Sequence, residues 1–399
     1  MSLSDSTSPA GPRRLAALAA LQVAGVFAGA QLGKIAPLVG WYRDEAGMSL
    51  VAIGFLTAIL GFFVAIAALP TAFLIDRLGN FRSFVVSSAV LAVGGILLAL
   101  ADGSGLVLAA RFIEALGYLV IVICTPALLA NYSPDSLKAP MLAIWGGFVP
   151  IGFAIADFSA AAMLPASESP LFLLAMAGAF TVFALLAMLL TAGLAPLDVP
   201  ERSEGGQRLM ASFSPAVLMV SLAFGAYVVL SLAFFTFLPA YVSAAGDAML
   251  LPAGGIALLV PAGNILASLL MGGRHLRFAT VLGVVGFLAC AASAVPFYTS
   301  SDALTATIAA VVYAVAGGIV ASALFAAIPF VVPRGGSAAI VIGFVAQSGG
   351  ITTLAGPPVA GWVIESFGWP GLGWLLAAVS LAGACLVAPL LAGRRGIKG

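Results

Sequence analysis

Charge is the scarce commodity of this chain. Sixteen Lys and Arg and fifteen Asp and Glu make up only 8% of 399 residues, while 62% are hydrophobic. A soluble domain carries roughly 25% charged residues, so a soluble fold of this size has too few charges to clothe its surface. The formal balance of +1 gives no electrostatic reason for a nucleic-acid or acidic-polymer partner. Histidine is nearly absent: His275 stands alone. The three cysteines, Cys124, Cys290 and Cys385, each lie in an apolar run, without disulfide or metal-ligand spacing. Neither a bound metal nor another cofactor is therefore expected. No Walker-type loop is present, which disfavours ATP-driven transport. A membrane-embedded enzyme or receptor would need a loop domain or a reactive constellation, and neither is visible, so the chain is expected not to be an enzyme.

What the sequence has instead is long apolar runs. Breaking it at charged and Pro/Gly clusters leaves segments near 14–40, 48–75, 83–101, 106–130, 138–164, 170–195, 214–243, 249–271, 278–299, 303–330, 338–365 and 370–392. Each reaches the roughly 20 residues that cross a bilayer as a helix. The longest polar connection, residues 196–213, falls near the midpoint. The expected architecture is an all-α membrane protein of twelve transmembrane helices in two pseudo-symmetric six-helix bundles. Its parts are a cytoplasmic tail (1–13), an amino-terminal bundle (14–195), a cytoplasmic linker (196–213), a carboxy-terminal bundle (214–392) and a second tail (393–399). Residues 1–12 are polar and lack a basic stretch, which reads as a tail before a retained helix rather than a cleaved signal.

Basic residues set the expected orientation. Arg13, Arg14, Arg77, Arg82, Lys138, Arg202, Arg208, Arg274, Arg277, Arg334, Arg394, Arg395 and Lys398 fall on alternate connections, 13 of 16 on one side. That side is the cytoplasmic one by the positive-inside rule, which places both termini in the cytoplasm. The opposite loops carry Asp44, Glu45, Asp102, Glu168, Asp247 and Asp302, with Arg43 their one basic residue, and Trp41, Trp369 and Trp374 sit at that end as interfacial aromatics. The halves echo each other: FLIDRLGNFRSF follows span 2 and LLMGGRHLRFAT follows span 8, while Glu114 to Pro134 and Tyr313 to Pro333 have equal separations. Duplicated six-helix units point to transport.

The stretch Ala72 to Arg82 (AFLIDRLGNFR) resembles the loop 2–3 signature of the major facilitator superfamily, G-x-L-x-D-R-x-G-R-R. Asp76, Arg77 and Gly79 match in spacing; Ala72 replaces the opening glycine, and Asn80 and Phe81 replace the basic pair. Arg111 and Gly117 in span 4 resemble the family's second signature, and GFVAQSGGITTLAGPPVAGWVIESFGW has its look across spans 11 and 12. Spans 4 and 5 resemble the cyanate-permease-like branch of anion carriers. Gly147, Pro150 and Gly152 meet the antiporter signature of span 5 only in part. The resemblance implies alternating access around a central site, with Asp76, Arg77 and Gly79 as gating residues and spans 1 and 4 facing the cavity. The alternative for Asp76 is a cap local to span 3.

Four ionisable residues remain inside spans: Lys34, Arg111, Glu114 and Asp157. Each is costly in hydrocarbon unless paired or hydrated, which makes each a functional candidate. At 1.5 Å per residue all four fall in the outer half of the amino-terminal bundle. Arg111 and Glu114, three apart on one helix, can pair. The structural reading is an ion pair that hides an arginine; the functional one has Arg111 and Lys34 anchor an anion, with Gln31 one turn before Lys34 adding a hydrogen bond. Lys34 can alternatively snorkel outward. Fully ionised, the four cancel. Protonation of Glu114 or Asp157 makes the set +1, so proton and monoanion favour each other's binding, as symport requires. Asp157 can equally be a carboxylate hydrogen-bonded within the bundle. The carboxy-terminal bundle offers only neutral candidates: Tyr227, Asn264, Tyr313 and Gln347.

The expected function is proton-coupled uptake of a small anion by a monomeric secondary transporter in the lipid bilayer of a bacterial inner membrane. The alternative is a proton-coupled exporter of a hydrophobic or drug-like compound. The partners are a small anionic substrate, protons and lipid, with no nucleic acid.

Overall fold

The computed structural model describes residues 11–134, 137, 141, 144–164, 169–197, 212–246, 249–271, 276–333 and 338–391. Residues 1–10 of the first tail, the second tail and most of the linker therefore lie outside the described residues. In chain order the helices are α1 (Pro12–Gly33), α2 (Val39–Asp44), α3 (Leu50–Leu78), α4 (Asn80–Ala99), α5 (Ser104–Tyr132), α6 (Phe148–Met163), α7 (Ser169–Thr191), α8 (Pro215–Ala245), α9 (Ala253–Met271), α10 (Leu276–Thr299), α11 (Ala303–Val331) and α12 (Ala338–Val387). No strand occurs among the described residues. The short α2 extends the first span, and α12 is two spans joined at Gly368, whose φ of +68° interrupts the helical backbone. With that division, the described helices occupy all twelve apolar segments.

Local chemistry explains the ends. Pro215 opens α8, where no amide partner is needed, and the Ser214 hydroxyl accepts the Val217 N–H at 3.2 Å. Asp302 caps α11 by accepting the Thr305 N–H at 2.8 Å and the Thr305 hydroxyl at 2.6 Å. The Thr305 side chain and amide hold this carboxyl below its ordinary range, so the contribution of this cap is present above that range and lost as pH falls. Gly79 alone joins α3 to α4, at φ +86°. With ψ at +142° this is an extended positive-φ backbone that is essentially reserved for glycine; an L-residue there pays about 1–3 kcal/mol, which is a physical reason for a glycine at this place in the loop 2–3 stretch. Arg13 and Arg14 also act as caps. Arg13 donates to the Ala192 carbonyl at 2.7 Å, and Arg14 to those of Tyr132 and Ala195 at 3.2 and 3.1 Å, fastening the carboxy-terminal ends of α5 and α7.

Packing divides the chain into two units. The first holds residues 1–34 and 67–203, and the second holds 35–66 and 204–399. The first part of α3 thus packs with the carboxy-terminal half of the sequence. Inside each unit the plan repeats: α1 packs on α6 and α7 as α8 packs on α12, and α4 packs on α5 as α10 packs on α11. Contact in the first unit is made close by small residues. A Cβ on Gly29 would stand 2.5 Å from the Phe148 carbonyl oxygen, and one on Gly152 would stand well inside contact distance of the Ala30 amide nitrogen. The α1 and α6 backbones touch as small-xxx-small helices do in membranes. The outward faces are apolar: Val86, Leu106, Val182 and Leu189 in the first unit, and Ile265, Phe367 and Trp374 in the second, are exposed, as helices solvated by lipid require.

Candidate functional site

Lys34 follows the last residue of α1, its own N–H still bonded to the Ala30 carbonyl at 2.9 Å. Its ammonium turns into the first unit and donates to Glu114 Oε1 at 2.5 Å and to Gln31 Oε1 at 2.8 Å. Arg111 Nη1 donates to Glu114 Oε2 at 2.6 Å and to the Gln31 carbonyl at 2.9 Å. One carboxylate thus holds a cation on each oxygen. All three charged side chains are 0% exposed. Gln31 completes the cluster. Its Nε2 donates to the Met176 carbonyl of α7 at 2.9 Å, which leaves its oxygen for the ammonium.

The backbone makes room for this. Glu114 stands ten residues past the start of α5, about 15 Å along the helix. It faces Gly94 and Gly95 of α4. A Cβ on Gly94 would lie 2.7 Å from Glu114 Cγ, and one on Gly95 would lie 3.3 Å from Glu114 Oε1 and 2.9 Å from Ala177 Cβ. α1, α4, α5 and α7 therefore meet at their smallest residues around the largest charges. The formal charge of the three groups is +1, and burial makes it consequential. Taking ions from water costs several kcal/mol each, offset only by good geometry and added hydrogen bonds, and the two ion pairs with the Gln31 contacts supply both.

The four ionisable candidates are distributed unevenly. Lys34, Arg111 and Glu114 come together with Gln31. Asp157 lies on α6, partly exposed, one turn beyond Phe153, whose Cα would stand 2.8 Å from a Cβ on Gly33; it is a member of neither Glu114 ion pair. Of the gating candidates, Asp76 and Arg77 have helical backbone in α3, while their side chains lie outside the described residues. Gly79 is the turn described above.

In the second unit the neutral candidates make local bonds. Tyr313 stacks on Phe234 at 4.8 Å, is 3% exposed, and donates its hydroxyl to the Leu230 carbonyl of α8 at 3.2 Å. It mirrors Glu114 in one respect: each reaches from its helix to the first long helix of its own half. Tyr227 is buried on α8 beside Phe224. Asn264 accepts the Ser322 hydroxyl on Oδ1 at 3.3 Å and on its carbonyl at 3.2 Å, tying α9 to α11. Gln347 donates to the Ala65 carbonyl, tying α12 to α3.

Gly94, Gly95, Ala177 and Met176 contribute to the site without an ionisable group that marks them in the sequence. The Gly-Gly pair inside span 3 was the available signal, but which charge it admits depends on how α4 and α5 align, and periodicity does not give that.

Comparison with known proteins bears on the family and the fold. No protein of curated function matches the chain in sequence. Two solved structures share its fold over 96% of this chain and 96% of their own. Both are of a bacterial homologue of the human lysosomal transporter Spinster: inward-facing and unoccupied, with a TM-score of 0.72 at 15% identity, and inward-facing and occupied, with a TM-score of 0.71 at 16% identity. Residues 21–353 match the sequence profile of the Major Facilitator Superfamily. The chain is therefore a member of the major facilitator superfamily, a multi-pass membrane transporter of small molecules rather than an enzyme.

Proposed function

We propose that this transporter takes up a small anion together with a proton, by alternating access of the bundles 14–195 and 214–392. It works as a monomer in a bacterial inner membrane, with both termini cytoplasmic. The observation that carries the reading is the pair of buried cations on one carboxylate. Lys34 and Arg111 already hold an anion, the side chain of Glu114. A substrate anion takes that position when Glu114 accepts a proton and withdraws. The formal charge of the enclosed groups is +1 before the exchange, from two cations and one carboxylate, and +1 after it, from two cations, a neutral acid and a monoanion. The exchange keeps the buried charge constant, so a proton and a monoanion are bound together and neither is favoured alone. Asp157, on the neighbouring α6, serves as the second proton carrier, and Asp76, Arg77 and Gly79 form the gate at the opposite end of the bundle. The inward-facing state of the Spinster homologue structures supports an alternating-access cycle.

A thermal-shift screen tests this on purified protein, with small carboxylates, inorganic anions and cationic drugs, at pH values on either side of neutrality. The expected result is a small anion that stabilises the protein, with apparent affinity rising as pH falls, by up to about tenfold per pH unit for one coupled proton. In Glu114→Gln, which imitates the protonated state, the pH dependence of that stabilisation is expected to flatten to whatever part Asp157 carries. Stabilisation by cationic drugs alone, or by an anion whose affinity ignores pH in the parent, overturns the reading.

A further inference from the structure

The seam between α3 and α12 lies wholly within the second unit and runs antiparallel. Gly361 meets the Leu50 carbonyl, where a Cβ would stand 2.5 Å from its oxygen; Gly54 meets Pro357 at 2.6 Å on the same measure; and Gly350 meets Ala65 at 2.8 Å. Gly61 faces the Thr353 side chain between them. Along this seam each close approach has a glycine on one side, so the helices fit closely with only the Thr353 side chain seated on a glycine, and little has to be withdrawn for them to part. Directional bonds stand at its two ends. Gln347 donates to the Ala65 carbonyl, and Glu365 accepts the Leu50 N–H. The seam stops where the packing of the chain changes unit, at residue 66, and Pro70 follows inside the same helix. A proline there removes one helical hydrogen bond and lets the two parts of α3 bend apart.

Glu365 is well chosen for a clasp. Leu50 is the first residue of α3, so its amide is one of the unbonded donors at a positive helix end. Ser49 takes the Ala52 N–H through its hydroxyl at 3.1 Å, and Glu365 supplies the remaining charge from another helix. Glu365 is exposed, so the bond can break into water without stranding a charge.

We infer that Glu365 is a positioning residue of the transport cycle: its carboxylate, bonded to the amino terminus of α3, holds the α3–α12 seam shut at the end read as outer, and loss of that bond lets the seam part. Glu365 touches no substrate and acts through Leu50. The inference rests on membership of an alternating-access family and not on the identity of the substrate or the coupling ion.

Spin labels on Phe55→Cys and Trp362→Cys test it, in a Cys385→Ala background; both positions are exposed, on opposite sides of the seam. Pulsed distance measurements in lipid nanodiscs are expected to give mostly the short separation in the parent. Glu365→Ala is expected to raise the ratio of long to short separation by about two- to fivefold, the size of a carboxylate at a helix amino terminus. Glu365→Gln, an uncharged acceptor, should fall between, and melting temperatures should be unchanged. Gly361→Leu, which wedges the same seam, should lengthen the distance further. If Glu365→Ala leaves the distribution as in the parent, or lowers the melting temperature without moving it, the inference fails. It fails equally if Gly361→Leu also leaves the distance unmoved, because the seam then does not part.

Discussion

Glu114→Ala is expected to be the most damaging single change in the charge cluster, costing about 3–5 kcal/mol of stability, the range for removing one partner from a buried ion pair. The reason is the count of charges. Lys34 and Arg111 both depend on Glu114 and both are 0% exposed, so its loss leaves two buried cations facing each other. Removing either cation is expected to cost much less, because the remaining pair is neutral. Lys34→Met leaves Arg111 on Glu114 with its Gln31 bond intact and fills the space with an apolar chain, so it should be the mildest of the three. Each cation variant strands one Gln31 acceptor, the side-chain oxygen for Lys34→Met and the carbonyl for Arg111→Met, but Met matches the length of Lys and leaves a void in place of the guanidinium, so Arg111→Met should fall between. The order Glu114, Arg111, Lys34 is checked by thermal unfolding of the three variants in detergent. Glu114→Ala also opens a cavity the size of the lost carboxylate. Formate or acetate should enter it and recover a measurable part of the stability, and chloride should recover less because it cannot bridge both cations in a plane. An order in which Lys34→Met is as harmful as Glu114→Ala would show that the site does not depend on charge balance.

Much of this site was legible before any coordinates, for one physical reason: an ionisable residue inside a long apolar run must find a partner. That argument isolates Lys34, Arg111 and Glu114, and spacing three apart on a helix pairs Arg111 with Glu114. The partner of Lys34 was not legible, because it lies 80 residues away and depends on how α1 crosses α5. The same limit hid Gly94 and Gly95, which matter only through the side chain they admit. Gln347 carried a polar signal that sequence assigned to substrate, and in the fold its amide goes to the Ala65 carbonyl; a half-buried amide between helices has either use, and periodicity does not choose. The twelve helices followed directly from segment length, since lipid demands internally bonded backbone. The packing of residues 35–66 with the second unit did not follow, because segment length says where a helix begins and ends and nothing of which neighbour it leans on. Gly79 was legible as a motif residue, and its φ of +86° supplies the reason.

Gly152→Ala is expected to be nearly as damaging as the loss of Glu114, although it adds a single methyl group and removes no charge. The added carbon would stand well inside contact distance of both the Ala30 amide nitrogen and the Gly29 carbonyl carbon. Both are backbone, near the carboxy-terminal end of α1, and neither can rotate aside. Overpacking of a close core typically costs about 1–3 kcal/mol where side chains can shift, and here whole helices must separate. The consequence reaches the site through α1. Gln31 and Lys34 follow Ala30 within one turn, and Gly33 rests on Phe153 one residue past Gly152, so pushing α1 off α6 moves the ammonium relative to Glu114, whose helix packs on α4. Gly178→Ala in α7 is the control. A Cβ there meets nothing within 4 Å, and surface substitutions of that kind stay within about 0.5 kcal/mol. Folded yield and melting temperature should fall for Gly152→Ala and hold for Gly178→Ala. The Gly152→Ala protein that does fold should also lose the anion-dependent stabilisation of the parent, because a site built from two helices is only as well placed as their crossing. Equal yields and equal anion responses for the two glycine variants would mean that α1 and α6 do not set the geometry of the charge cluster.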